Sequence, residues 1–139
     1  MVSLTLEQIL QLHALVLVKD GGADGVRDVG RLEAAVSTQH QVVFGEELYA
    51  TVFAKAAALM RGIIGDHPFA DGNKRTAILA GLTLLEVNGY NFTAQRGELE
   101  NFAVRVATDH LDIDAIVDWL ERHSRGRIDG LITRNFSGK

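Results

Sequence analysis

The side chains best suited to chemistry lie in one short polar segment between two apolar stretches of the chain. This segment runs from Gly65 to Thr76 and reads GDHPFADGNKRT. Histidine changes charge close to neutral pH, so His67 is suited to accept a proton from a hydroxyl nucleophile. The sequence therefore offers His67 as a candidate general base.

Gly72, Asn73, Lys74 and Arg75 mark the start of the helix predicted after this segment. A helix start presents unpaired backbone N–H groups and the positive end of the helix dipole. Two cations in the first turn oppose the usual preference for acidic residues there, and a bound anion would compensate for them. The pattern predicts that these four residues cradle phosphate groups.

Asp71 lies three residues before Lys74. A lone carboxylate beside phosphates is a usual way to hold Mg²⁺, which keeps several waters and takes phosphate oxygens as further ligands. The sequence thus predicts that Asp71 holds magnesium on a bound nucleotide.

The glycine-rich patterns of P-loop and dinucleotide-binding proteins do not occur in the chain, and these two folds are excluded.

The remaining segments must position this loop, and their apolar residues recur at helical spacing. This periodicity predicts an all-α fold, a single compact bundle of about six helices with the active loop between the two central ones. The predicted helices cover residues 6–18, 31–38, 47–65 and 73–88, with a fifth around 99–106 and a sixth around 113–120. The connection before Gly45 is either a small hairpin or a loop.

Capping residues set the ends of two of these helices. Thr5 and Gln8 have the spacing of a capping box, and Asn88-Gly89 is a typical helix stop. Apolar side chains predict which faces turn inward. In the first helix these are Leu6, Ile9, Leu10, Ala14 and Leu17, and in the third they are Leu48, Val52, Phe53, Ala56, Leu59, Met60, Ile63 and Ile64.

Composition limits the class of protein. With 139 residues, 47% of them hydrophobic, the chain has the size and core of one domain. A net charge of −4 argues against nucleic-acid binding, and the absence of cysteine excludes disulfides and thiolate chemistry. The near-apolar stretch 9–18 is too short to span a membrane and lacks the flanks of a secretory signal. We expect a cytoplasmic protein.

The end of the chain differs in charge from the rest. Residues 1–120 carry 9 basic and 16 acidic side chains, whereas residues 121–139 carry 5 and 2. We expect a helical domain at residues 1–124 and a basic C-terminal tail at 125–139, which forms either a short helix or a frayed end.

The polar segment resembles the signature of the Fic/Doc superfamily, His-x-Phe-x-(Asp/Glu)-Gly-Asn-x-Arg between two helices. The chain contains every specified residue, and the resemblance extends to the segments 25–33, 53–57 and 88–90. At the variable position the adenylylating Fic branch usually has glycine, whereas the death-on-curing (Doc) branch has lysine. Lys74 therefore makes the chain similar to the Doc branch.

The resemblance implies a function. Members of the Doc branch are toxins of toxin–antitoxin modules that transfer the terminal phosphate of ATP to a threonine of elongation factor Tu and so inhibit translation. It implies His67 as the base, Asp71 as the magnesium holder, and Gly72, Asn73, Lys74 and Arg75 as the phosphate cradle. Phe69 would be a buried anchor of the loop. The expected partner is a Phd-like antitoxin whose C-terminal segment folds into a groove of the toxin.

Two other functions stay open at this point. One is a Fic-type adenylyltransferase that moves AMP to a protein hydroxyl, and the other is a catalytically silent module that binds an antitoxin. Arg27, Asp28 and Glu33 are expected to organise the turn into the second helix rather than to act in catalysis. The other histidines, His13, His40, His110 and His123, have no second ligand at metal spacing, so a zinc site is not expected.

Overall fold

The apolar stretches of the sequence fold as helices in the computed structural model, which describes residues 1–128 and 131–135. Six α-helices occur in this part of the chain, and the predicted all-α fold is confirmed. The helices are α1 (Leu6–Asp20), α2 (Val29–Ser37), α3 (Val52–Asp66), α4 (Asn73–Val87), α5 (Arg96–Thr108) and α6 (Ile113–Arg122). None of the helices in the described residues is long and apolar enough to cross a membrane.

Helix α3 is the centre of the bundle and packs against α2, α4, α5 and α6. Its closest neighbour is α4, and Gly81 permits that approach, because an added Cβ there would lie 2.7 Å from Met60 Cγ. The loop at residues 67–72, predicted from the sequence to be the active loop and called so below, joins these two helices. Both ends of the loop are therefore fixed by two helices that pack closely against each other, as a precise site requires.

The predicted start of α3 was wrong by one and a half turns. The helix begins at Val52, where the Thr51 hydroxyl accepts a hydrogen bond of 3.1 Å from the Ala54 N–H. The residues before it pair instead as a hairpin, β1 (Val42–Val43) with β2 (Glu46–Glu47), which resolves the open choice before Gly45. Leu48 consequently lies outside the core and is exposed.

Helix α1 confirms its predicted cap and part of its predicted inward face, since Ile9 is buried and Leu6 and Leu17 are half-buried. Thr5 and Gln8 form the reciprocal capping box. Leu10 and Ala14 are exposed, whereas Ile9, His13 and Val16 are the buried residues of the helix. This stripe is buried because it packs against the loop before α4. One of its three residues is a histidine, which a prediction from apolar residues alone leaves out.

Three further strands lie at the other end of the molecule. They are β3 (Tyr90–Phe92), β4 (Ser124–Ile128) and β5 (Leu131–Asn135), antiparallel in the order β3-β4-β5. The prediction of a helical or frayed tail was therefore wrong for residues 125–128 and 131–135, because β4 finds backbone partners in β3. Residues 129–130 and 136–139 lie outside the described part of the chain. The division at residue 124 stays a prediction.

Candidate active site

A short segment before α2 runs antiparallel to the active loop and holds it. The N–H groups of Arg27 and Asp28 donate to the Pro68 carbonyl at 2.7 and 3.0 Å, and the Ala70 N–H donates to the Gly25 carbonyl at 3.0 Å. Val26 and Phe69 form the bridge between the two segments. The first half of the loop is thus paired by backbone hydrogen bonds at Pro68 and Ala70, although it belongs to no regular sheet.

His67 stands directly after α3 in the left-handed conformation, with φ of 48°. Its carbonyl oxygen accepts hydrogen bonds from Nε, at 2.9 Å, and Nη2 of Arg27. The Asp66 carbonyl accepts from Arg27 Nη2 at 3.1 Å and from Arg31 Nη1 at 3.2 Å. The two arginines therefore satisfy carbonyls at the C-terminal end of α3, and the exposed His67 side chain projects from a fixed backbone.

Two cavities meet at His67. One, of about 460 Å³, is lined by residues 70–75 together with Asp20, Gly21 and Gly22. We call it the phosphate-side cavity because it contains the predicted phosphate cradle. The other, of about 400 Å³, is lined by α3, the end of α5 and Tyr49. Since His67 lines both, its imidazole can contact a group bound on either side.

The Asp71 side chain lies in the first of these cavities, against the backbone after α1. Its Oδ1 accepts from the Gly72 N–H at 2.9 Å, and its Oδ2 accepts from the Ala23 N–H at 3.3 Å. An added Cβ at Gly22 would lie 2.8 Å from Asp71 Oδ2, so glycine is needed for this close approach. Each carboxylate oxygen retains lone-pair sites for a cation, because one hydrogen bond does not fill them.

Asn73 is buried, and its side chain closes the loop on itself. The amide nitrogen donates to the Phe69 carbonyl and the amide oxygen accepts from the Phe69 N–H, both at 3.0 Å. Phe69 is buried in the core beneath. What Asn73 offers to a phosphate is therefore its backbone N–H. Gly72, with φ of 78°, precedes it, and no side chain in the described residues caps this helix start.

The two cations of the first turn differ in their surroundings. Lys74 is exposed at the rim of the phosphate-side cavity. Arg75 lies 3.6 Å from the Asp20 carboxylate and 3.4 Å from that of Glu100, with 42% of its side chain exposed. Such exposed pairs contribute only about 0–1 kcal/mol, so a phosphate can compete for the guanidinium.

Sequence reasoning missed one residue of this site, His13. Its Nε2 lies 2.9 Å from the Asp71 carbonyl oxygen, and its ring stacks on Phe69 with centroids 3.8 Å apart. The spacing Ile9, His13, Val16 places this histidine on the buried stripe of α1, but spacing alone does not select it as a site residue. The prediction for Asp28 is confirmed, since it caps α2 by accepting from the Arg31 N–H. The Arg27 guanidinium instead donates to the Asp66 and His67 carbonyls at the end of α3. Glu33 is exposed.

Comparison with known proteins finds a consistent set of relatives. The model of the Fic/DOC family matches residues 3–85, which include α1, α2, α3, the loop and most of α4. A protein of Mycolicibacterium smegmatis called Toxin Doc is 40% identical over 98 residues, 69% of this chain and 75% of that protein. The protein of Escherichia phage P1 called Protein kinase doc is 31% identical over 116 residues, 84% of this chain and 90% of that protein.

Proposed function

The chain belongs to the Fic/DOC family, in its Doc toxin branch, and on that premise we propose that it is a protein kinase of a toxin–antitoxin module. The proposed reaction transfers the terminal phosphate of ATP to a hydroxyl of a protein. We propose a threonine of elongation factor Tu as the acceptor, so that the reaction inhibits translation in the cytoplasm.

The observation that carries this proposal is the position of His67 between two cavities, one of which contains the start of α4. ATP phosphates suit that cavity because it combines uncapped backbone N–H groups with Lys74 and Arg75. The acceptor hydroxyl would approach from the other cavity. A base that lies where the two bound partners meet can take the proton of the acceptor at the point of transfer.

Asp71 fits the role of magnesium holder. Its carboxylate is exposed in the phosphate-side cavity and keeps unused lone pairs on both oxygens. Magnesium, when bound with ATP, neutralises phosphate charge and helps align the reacting groups. The backbone N–H groups of Gly72 and Ala23 fix the orientation of the carboxylate, so little reorganisation is needed for binding.

The chain's own residues then account for the transfer. The His67 imidazole accepts the proton of the acceptor hydroxyl, whose oxygen forms a bond to the terminal phosphorus. The bond from that phosphorus to its bridging oxygen breaks, and ADP leaves. Lys74, Arg75 and the N–H groups at the start of α4 stabilise the charge on the moving phosphoryl group. No covalent enzyme intermediate is needed.

Lys74 favours phosphoryl over adenylyl transfer in this proposal. A bulky cation at the helix start occupies room that the two inner phosphates of an adenylylating nucleotide would need. The relative from phage P1 is named a protein kinase, which supports the same choice. Transfer of AMP remains the second candidate reaction.

A labelling experiment tests the proposal. The protein is incubated with a bacterial lysate and Mg-ATP labelled at either the γ or the α phosphate, with His67→Ala as the matched control. We expect protein label from γ-labelled ATP alone, and only with His67 present. Label from α-labelled ATP would indicate adenylyl transfer. Unchanged toxicity of His67→Ala in cells would instead favour a silent binding module.

We also propose where the antitoxin binds. An apolar groove of about 290 Å³ lies between α1, α4 and α5, lined by Leu15, Ile78, Leu79 and Leu99, with Arg75 at its edge. A C-terminal segment of a Phd-like antitoxin that folds as an amphipathic helix would fit such a groove. Its binding would be sensitive to Leu79→Asp, measured by titration with the antitoxin peptide.

A further inference from the structure

We propose that His13 is a positioning residue of the active loop, which holds Asp71 in the orientation that binds Mg-ATP. The inference rests on the proposed function for its effect on nucleotide binding. The inference goes beyond the proposed function because His13 belongs to α1, far from the loop in sequence. It is not one of the signature residues.

The hydrogen bond of His13 has a defined direction. A carbonyl oxygen can only accept, so the His13 Nε2 must carry the hydrogen that it donates to Asp71 over 2.9 Å. The ring is 4% exposed and lies almost parallel to Phe69, at 9°. Burial and stacking leave the imidazole little freedom to rotate, so its Nε2–H stays directed at the Asp71 carbonyl oxygen.

Asp71 and the peptide that follows it are thereby held from two sides. The Gly22–Ala23 backbone lies against the carboxylate, and His13 binds the carbonyl oxygen of the same residue. An added Cβ at Gly72 would lie 3.3 Å from Val16 Cγ1 and 3.8 Å from the His13 ring, so α1 packs directly beneath this peptide. Rotation of the Asp71–Gly72 peptide would break the His13 hydrogen bond and the bond from the Gly72 N–H to Asp71 Oδ1.

Loss of the donor has a specific consequence. The Asp71 carbonyl would be left without its side-chain partner in a part-buried place, which favours rotation of the peptide toward solvent. That rotation withdraws the Gly72 N–H from the Asp71 carboxylate, which is then freer to turn, and it moves the left-handed Gly72 at the start of α4. The residue that accepts the proton, His67, is held separately by Arg27. The effect should therefore fall on nucleotide binding more than on the proton transfer.

Two variants separate the donor from the ring. His13→Phe keeps a stacking ring without a donor, and His13→Gln places an amide N–H where Nε2 lies but has no ring. We expect the KM and the Kd for Mg-ATP to rise about tenfold in His13→Phe, the value of one lost hydrogen bond. In His13→Gln we expect them to stay within about threefold of wild type.

His123 provides a matched control far from the loop. It too stacks on an aromatic ring, that of Trp119, and its Nδ1 lies 2.7 Å from the Trp119 carbonyl. His123→Phe should lower the melting temperature as His13→Phe does but leave the Kd for Mg-ATP unchanged. Equal affinity of wild type and His13→Phe, or equal loss in His13→Phe and His13→Gln, would overturn the proposal.

A readout that needs no nucleotide keeps this test apart from the kinase proposal. In NMR spectra we expect the His13 Nε2 to be protonated, and the amide signals of Asp71 and Gly72 to shift in His13→Phe and return in His13→Gln. If wild type bound no Mg-ATP, the proposed function would fail, and these amide signals alone would decide about His13. Should His13→Phe not fold, His13→Met replaces it as the donor-free variant.

Discussion

At the scale of single residues, the loop divides into side chains that are free to act and side chains that hold it. His67, Asp71 and Lys74 are exposed at the cavities, whereas Phe69 and Asn73 are buried and bonded to each other. The division has a physical reason, because reacting groups must reach a substrate while their backbone must not move. Substitutions in the two sets should therefore have different effects.

Lys74 provides the first prediction. Because its side chain is exposed, Lys74→Ala should leave the free energy of unfolding within about 0.5 kcal/mol of wild type. Loss of one charge-assisted contact to the phosphoryl group should lower kcat/KM for phosphate transfer by at least about tenfold. The measurement is a steady-state assay with the labelled protein acceptor.

The control for Lys74 is another cation on a neighbouring helix. Lys19 is also exposed, but it lines the apolar groove and not the phosphate-side cavity. Lys19→Ala should keep the wild-type kcat/KM. An equal loss in both variants would mean that Lys74 acts only through the general charge of this face.

The candidate residues of the site could be selected at this scale, and the exceptions share a cause. The type and spacing of His67, Asp71 and Lys74 predict a chemistry for them without a structure, and their roles stay predictions. The partners of Asn73 and the role of His13 depend on which atoms lie nearby in the folded chain. A single histidine on an apolar helix face is most often a core residue, so sequence gives no reason to select His13.

At the scale of elements, the end of α3 sets the geometry of His67, the proposed base. The left-handed backbone at His67 is unfavourable for a residue other than glycine. Arg27 offsets that strain by donating to the His67 and Asp66 carbonyls. The segment before α2 thus stabilises a conformation that α3 alone would not keep.

We predict that Arg27→Met weakens both stability and catalysis. The carbonyls at the end of α3 lose a charged donor, which should cost about 1–2 kcal/mol in the free energy of unfolding. The kcat should fall while the Kd for Mg-ATP stays near wild type, because Asp71 is held by other groups. Arg105→Met, which breaks only an exposed pair with Asp109 at 3.7 Å, is the control.

The β1–β2 hairpin should respond to pH through Glu47. The buried Lys55 donates to the Gln39 carbonyl at 2.6 Å and to Glu47 Oε1 at 2.8 Å. The hydrogen bond and charge of Lys55 hold the pKa of Glu47 below its ordinary value. Ionised Glu47 therefore stabilises the hairpin above the pKa it has in the unfolded chain, and this is lost as pH falls through its folded pKa.

Hydrogen exchange measures this effect. On acidification from neutral pH, we expect the protection of the hairpin amides, corrected for the intrinsic exchange rate, to decrease. Glu47→Gln should lower protection at neutral pH and remove most of its change with pH, whereas Glu46→Gln should behave as wild type. Identical pH profiles for wild type and Glu47→Gln would show that the pair does not hold the hairpin.

The elements were predictable where local residues decide them. The capping box fixes the start of α1, and Gly89, with φ of 96°, follows the end of α4 as expected. The start of α3 is marked locally by the Thr51 cap, which the apolar pattern running on from Leu48 obscured. The pairing of β3 with β4 was not predictable, because it joins segments far apart in the chain. Lys55 selects the hairpin by binding Glu47, and β3 pairs with residues more than 30 positions away.

At the scale of the whole molecule, the bundle places three surfaces around α3, α4 and the loop that joins them. The loop between α3 and α4 carries the phosphate-side cavity and meets the second cavity at His67. Arg75 lines both the phosphate-side cavity and the apolar groove. A partner in that groove would therefore lie next to the nucleotide, which fits the proposal that an antitoxin restrains the toxin there.

The measurement that tests the central claim most directly is the intact mass of elongation factor Tu after incubation with this protein and Mg-ATP. We predict a gain of one phosphate, located on a threonine, which is absent with His67→Ala and strongly reduced with Lys74→Ala. A gain of the mass of AMP, or a gain that persists without His67, would contradict the account. So would an unmodified factor under conditions in which the protein binds Mg-ATP.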